Sequence, residues 1–450
     1  MRERIVLLSI ICSLLILLYF FQNHMNTPCA FMTILIFMAV YTAYMQIAFK
    51  HKQRKQRKHP IEKNYNYTPY ISIMIPAHNE ADVICETIEN ITAIDYPHYE
   101  IIVIDDRSTD NTYDVLEKIS PKYPNLKYFS RTKEAFPGKS AVLNDALKIA
   151  KGEAILVFDA DAKIKPEFLK TMLPMLEPAD VGAVQAQKVI INAKQNFLTQ
   201  CQFNEYILDT HFQLGRDAVR GAVELRGNGE LVKRQALNSI NGWNEETIVD
   251  DLDMSTRLHI KGWDVRYCPE VIVYEEAIIY FIPLMRQRRR WLEGTIRRYL
   301  EYSGQALTSK DISLRARVDM IAYISEFIMP LWCIMEFLIR GFKVLAKDAS
   351  PHMLYSSIFI SCIIGFGFFT AIRYALRRYD GYGRWRAFKE AVITSIYLLV
   401  IWFPLVLFIM FKILFMKKDM KWGKTTHGLI REEEENIKRE HEKHEHSVKN

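Results

Sequence analysis

Cysteine is scarce in this 450-residue chain. Its seven cysteines, Cys12, Cys29, Cys85, Cys201, Cys268, Cys333 and Cys362, are scattered and form no C-x2-C pair. That spacing argues against both a zinc site and a disulfide framework. The glycine patterns that cradle phosphates are missing as well. No G-x-G-x-x-G follows the first strand-like segment and there is no G-x-x-x-x-G-K-[ST], which disfavours a dinucleotide cofactor or a P-loop. Charge is missing from long stretches. Residues 5–21 and 31–49 contain no Asp, Glu, Lys or Arg, and each approaches the roughly 20 apolar residues that span a bilayer.

A cleaved signal peptide is one reading of the first stretch. Its apolar region is long, no small-residue cleavage site stands out, and a second apolar stretch follows at once, so a membrane hairpin over 1–52 is favoured. The run KHKQRKQRKHP from Lys50 to Pro60 then marks the cytoplasmic side. Apolar segments return at about 318–345, 354–372 and 391–416, with the basic run beginning at Arg373 between the last two. Two plus three spans would put the tail outside, yet the sequence from Lys417 is also basic. Either one segment is re-entrant, with Pro404 splitting the last, or the span count differs. The expected organisation is a hairpin (1–52), a cytosolic domain (53–308), a membrane region (309–418) and a charged tail (419–450). The net charge of +7 is accounted for by clusters beside apolar spans, which argues against a nucleic-acid partner.

Strand-like and helix-like patterns alternate in the middle of the chain. YISIMIPA, EIIVIDD, LKYFSR and ILVFDAD read as strands, and NEADVICETIENITAI, STDNTYDVLEKI and GKSAVLNDALKIAKG read as helices. Ser108, Thr109 and Asp110 are suited to capping the second of these helices. The order predicts a parallel sheet with helices on both faces, whose ligand lies beyond the carboxyl ends of the strands. Asp105, Asp106, Asp159, Asp161 and the segment 76–80 all fall at that edge. The pair Asp159 and Asp161 faces like-charge repulsion unless something positive accompanies it. Mg²⁺ or Mn²⁺ with a diphosphate supplies that charge, because such ions take one or two carboxylates plus phosphate oxygens. An extended chain there would point both side chains the same way.

Two further clusters lie downstream. Asp250, Asp251 and Asp253 open a helix-like segment, where acids are favourable beside the macrodipole; a carboxylate there would also serve as a general base. In QRRRWLEG, Gln287 and Trp291 lie four apart on one helical face. Arginine there suits a diphosphate, and Trp291 an acceptor. The run 197–217 is amphipathic, fitting either the membrane surface or a core helix.

Together these pieces resemble the membrane-bound family 2 glycosyltransferases, the group that includes cellulose, chitin, hyaluronan and poly-N-acetylglucosamine synthases. The resemblance covers about residues 70–300 and the flanking spans, with the motifs in the family's order. It implies a GT-A fold, an α/β nucleotide-diphospho-sugar transferase domain flanked by transmembrane helices. By position it implies that Asn79, Glu80 and Asp106 contact the nucleotide, and that Lys139 meets the uracil or a phosphate. Asp159 then serves the donor and Asp161 the metal. Asp251 inherits the general-base role, although the triplet reads Val249-Asp250-Asp251 where the family has Thr-Glu-Asp. Gln287, Arg290 and Trp291 complete an intact Q-x-x-R-W.

The expected activity is inverting transfer of a hexose, glucose favoured, from a UDP-sugar to a membrane-associated acceptor. VDDLD, ELRGNGELVKRQAL and RRRWLEGTIRRYLEY lean toward the cyanobacterial enzymes that place glucose on diacylglycerol. A processive synthase of a β-linked polysaccharide is the alternative. The expected location is the cell membrane, multi-pass, with the catalytic domain in the cytoplasm. A catalytically inactive nucleotide-sugar-binding subunit is a reading of another class; the presence of every motif acid and of QRRRW argues against it. A transporter would have no need of those acids.

Overall fold

The computed structural model describes residues 2–24, 29–59, 63–347 and 352–416, so the expected tail over 419–450 lies outside the described residues. Two helices come first, α1 (Arg2–His24) and α2 (Cys29–Lys58). An α/β unit follows: β1 (Ile71–Ala77), α3 (Ile84–Thr92), β2 (Tyr99–Asp105), α4 (Thr112–Ile119), β3 (Leu126–Ser130), α5 (Lys139–Ile149), β4 (Ala154–Val157), α6 (Phe168–Leu176), β5 (Val181–Ile190), α7 (Phe197–Val219), β6 (Glu230–Lys233), α8 (Arg234–Ser239), α9 (Asp250–Ile260) and β7 (Asp264–Glu275). Four long helices complete the described chain: α10 (Phe281–Thr308), α11 (Leu314–Leu345), α12 (His352–Tyr379) and α13 (Arg384–Phe415).

The seven strands form one sheet in the order β3-β2-β1-β4-β6-β5-β7. β1 is buried at every position, as expected of a central strand covered on both faces. Its alternation sorts the core. Ile73 and Ile75 pack with Ile88, Ile91, Phe158 and Phe168 on one face, while Met74 packs with Val142, Leu143, Met254 and Leu258 on the other. The expected parallel sheet holds for β1 to β4. It fails at β6, which runs antiparallel to both β4 and β5. After α7 the chain re-enters the sheet between strands already laid down, in the reverse direction, and the four-residue segment ELVK is too short to declare that from sequence.

The sheet is tied to the apolar helices by buried polar contacts. α7 lies between the sheet and α2, α12 and α13, so it is a packed helix rather than a surface one. Asp319 of α11 accepts hydrogen bonds from the Tyr41 hydroxyl of α2 at 2.6 Å and from Ala222 N at 2.8 Å. Asn204 of α7 donates to Thr394 of α13 at 2.9 Å. Lys412 of α13 pairs with Glu293 of α10. Among the described residues, α11 and α13 are long and apolar enough to cross a membrane.

Gly294 marks where α10 meets the start of α9. A Cβ at Gly294 would stand 2.1 Å from Val249 Cγ2 and 2.8 Å from its Cβ. Glycine inside a helix costs about 1 kcal/mol relative to alanine, but the overlap decides the sign, since overpacking costs roughly 1–3 kcal/mol. Gly294→Ala is therefore expected to lower the melting temperature, and Val249→Ala in the same chain, which removes the Cγ2 overlap, to recover part of the loss. A single Gly294→Ala variant as stable as wild type would contradict this contact.

Candidate active site

The carboxyl edge of the sheet opens on a cavity of about 350 Å³. Its wall includes Pro76 near the end of β1, His78 and Glu80 just after it, Lys139 at the start of α5, Asp159 and Asp161 after β4, Asp250 and Asp251 at the start of α9, and Gln287, Arg290 and Trp291 on α10. Of the residues expected from sequence, eight therefore meet in one place: Glu80, Lys139, Asp159, Asp161, Asp251, Gln287, Arg290 and Trp291.

Asn79 and Asp106 are not in that wall. Asn79 has a φ of 58°, and its side-chain oxygen accepts hydrogen bonds from Thr109 N at 2.6 Å and Asp110 N at 3.3 Å. It braces the loop after β2. Asp106 is fully buried and held by Arg107 at 2.9 Å and Arg131 at 3.0 Å, while its backbone oxygen meets His78 Nδ1 at 2.7 Å. Both residues shape the rim around His78 and Glu80.

Asp159 and Asp161 sit in a turn closed by Ala162 N donating to Asp159 O at 3.1 Å. The strand ends at Val157, so the extended geometry expected there is replaced by a turn. Burial, then Asp159, then Glu275 push the Asp161 carboxyl up to about 7, the signature of negative charge gathered in a low-dielectric place. Among the described residues no three His, Cys, Asp or Glu side chains converge as a metal cage. The two carboxylates fit a divalent ion of the kind completed by diphosphate oxygens and water. Lys139 Nζ donates to Asp159 Oδ1 at 2.6 Å and to Gly227 O at 3.0 Å. Burial opposes its charge, but Asp159, Asp250 and Glu230 outweigh that and raise its pKa. The lysine expected at the uracil or a phosphate thus bridges the Asp159 turn and the Gly227 loop on the cavity wall.

Asp251 lies in the first turn of α9 and is 9% exposed. Its Oδ1 accepts from Leu252 N at 2.7 Å. Gly227, at φ +78°, lets the loop approach, since a Cβ there would lie 3.0 Å from Asp251 Oδ2. Burial and then Asp250 push the Asp251 carboxyl up to about 6, with Lys139 opposing. A buried carboxylate with that pKa is suited to taking a proton near neutrality.

Several wall residues carried no motif. Lys188 on β5 pairs with Glu275 at 2.9 Å and lies 5.5 Å from the Tyr206 ring centroid. Arg226 is held by Asp209 at 2.6 Å and Glu224 at 2.9 Å. Tyr323 of α11 and Trp402 of α13 close the far side, so the apolar helices contribute directly to the cavity. Beneath it lies Glu230, 0% exposed, both of its carboxyl oxygens buried without a hydrogen-bond partner. Burial, then Asp251 and Asp250, raise its pKa well above the usual range. The folded protein then keeps a proton that the unfolded chain releases, so this group costs stability as pH rises above the ordinary carboxylate range. Glu230→Gln is expected to raise the melting temperature at about pH 8 and to leave it unchanged near pH 4, close to the unfolded carboxyl pKa; a lower melting temperature at the higher pH would contradict a neutral Glu230.

Comparison with known proteins gives the family and the fold. The family profile "Glycosyltransferase like family 2" matches residues 69–294. A beta-monoglucosyldiacylglycerol synthase from a Nostoc species is 42% identical over 60% of this chain and 58% of its own length, so the match spans less than two thirds of that relative. The enzyme of the same name from Trichormus variabilis is 36% identical over 80% of this chain and 76% of its own. Among solved structures, a mannosyltransferase from Pyrobaculum calidifontis in complex with GDP-Man and Mn²⁺ shares the fold, with a TM-score of 0.55 at 20% identity over 82% of this chain and 97% of that one. The sheet is accordingly of GT-A type, mixed rather than parallel, and the chain belongs to glycosyltransferase family 2.

Proposed function

We propose that this chain transfers glucose from UDP-glucose to the free hydroxyl of diacylglycerol at the cytoplasmic membrane face, with inversion at the anomeric carbon. The observation that carries the reading is the composition of one cavity. Paired carboxylates, a buried general-base candidate and Gln287-x-x-Arg290-Trp291 share it with Tyr323 and Trp402 from the two helices apolar enough to cross a membrane. An aqueous acceptor needs no such wall; a lipid hydroxyl does. The names of the relatives at 36% and 42% identity support the same acceptor.

In this mechanism Asp251 takes the proton of the acceptor hydroxyl as its oxygen attacks the anomeric carbon. The bond to the diphosphate breaks and UDP departs with the electron pair. Asp161 would hold a divalent ion, Mg²⁺ or Mn²⁺, which when bound offsets the charge of the leaving diphosphate, and Asp159 beside it would serve the donor. Arg290 faces the same cavity and adds positive charge. Gln287 and Trp291 border the acceptor.

The expected arrangement is a hairpin over 1–52, a catalytic unit over 53–308 and a membrane region over 309–418. Both basic clusters fall on one side of it. Arg378 Nη2 donates to Gln53 Oε1 at 3.2 Å, which supports placing the run at 50–60 and the run after Arg373 together at the cytoplasmic face.

Membranes carrying the protein are expected to move label from UDP-glucose into the organic phase, in proportion to added diacylglycerol. Label confined to aqueous polymer would overturn the acceptor. Asp251→Asn is expected to cut turnover roughly 100- to 10,000-fold, the usual worth of a positioned base, while UDP binding measured by calorimetry stays within about twofold. Turnover near the wild-type rate would remove Asp251 from the base role.

A further inference from the structure

The motif spacing Q-x-x-R-W leaves its second position open, and here it holds Arg288. This side chain is 0% exposed. Its Nη1 donates to Gln287 Oε1 at 2.8 Å and its Nη2 to Glu205 Oε2 at 2.8 Å. Its guanidinium carbon stands 4.4 Å from the centroid of the Trp291 ring. One buried cation therefore touches both residues that border the acceptor, and it does so from behind the cavity wall, in which Gln287, Trp291 and Glu205 appear and Arg288 does not.

Stability alone does not account for this arrangement. Replacing a buried ion pair by apolar side chains is often neutral or stabilising, and Arg288 Nε has no hydrogen-bond partner. What the guanidinium supplies is direction. Its fork sets the Gln287 amide, its plane backs the indole, and Glu205 anchors both to α7. Glu205 Oε2 also accepts from the Tyr397 hydroxyl of α13 at 3.3 Å. The acceptor platform is thus referenced to the helix that brings Trp402 to the same cavity.

We propose that Arg288 is a positioning residue for the acceptor: through Glu205 and Tyr397 it fixes Gln287 and Trp291 relative to α13, so that the lipid hydroxyl is presented to Asp251. The inference rests on the acceptor reading above. Failure of that reading shows as wild-type protein that leaves diacylglycerol unglucosylated, whereas failure of this one shows only in how variants differ from wild type.

The test is steady-state kinetics of the full chain in mixed micelles, varying diacylglycerol and UDP-glucose separately. Arg288→Met is expected to lower kcat/KM for diacylglycerol roughly 10- to 100-fold, the loss of a desolvated cation–π contact and a charged hydrogen bond. The KM for UDP-glucose should stay within about twofold, and Arg288→Lys should recover part of the loss. Because Arg288 acts through Trp291, Arg288→Met added to Trp291→Ala should cost less than about threefold more, non-additivity being the mark of coupled residues. Full multiplicative losses in the double variant, or equal losses for donor and acceptor, would overturn the proposal. If Arg288→Met does not accumulate, Glu205→Gln gives the same readout: a selective loss for diacylglycerol supports the proposal and an unchanged acceptor KM overturns it.

Discussion

Several carboxylates share one partly buried cavity because Lys139 stands among them. Its ammonium meets Asp159 and the Gly227 carbonyl directly, and Asp250 acts on it from nearby. Isolated carboxylates at that depth would be protonated and useless as bases or ligands. With the lysine in place their environments diverge: Asp251 is tuned to about 6, Asp161 to about 7, and Glu230 stays neutral. Neighbouring acids thereby sit in different environments, set by burial, by one another's charge and by the cations Lys139, Lys188 and Arg226.

The second constraint is the close approach of α9 and α10. Gly294 admits Val249, and Val249 immediately precedes Asp250 and Asp251. One turn before Gly294 on α10 stand Arg290 and Trp291, and two turns before it Gln287. The proposed proton acceptor and the proposed acceptor platform therefore come from two elements that touch through a glycine. α10 is in turn bolted to α13 by Glu293 and Lys412, and α7 to α13 by Asn204 and Thr394. Geometry at the reacting end and the position of the apolar helices are linked through side chains on the same few helices.

Much of this was legible in the residues themselves. Asp159, Asp161, Asp251 and Gln287-x-x-Arg290-Trp291 were legible because they fall in short motifs, and the fold brings them to one cavity. The alternation of strands and helices through β4 was plain because each buried strand is a continuous apolar run. Lys188, Tyr206, Asp209, Arg226 and Glu275 were not legible. They come from β5, α7, the loop before β6 and the end of β7, and only the closed sheet brings them together. Asn79 and Asp106 lie at the expected edge, where Asn79 has a positive φ and two arginines hold Asp106. The reversed β6 was missed for a related reason: strand direction depends on where α7 returns the chain, which four residues do not encode.

Proton transfer to Asp251 is the step on which the account stands, and the pH dependence of kcat/KM for the acceptor tests it most directly. With donor and divalent ion held saturating at each pH, the account predicts a rate that falls on acidification with an apparent pKa near 6. A rate that stays flat well below that value would contradict Asp251 as the base.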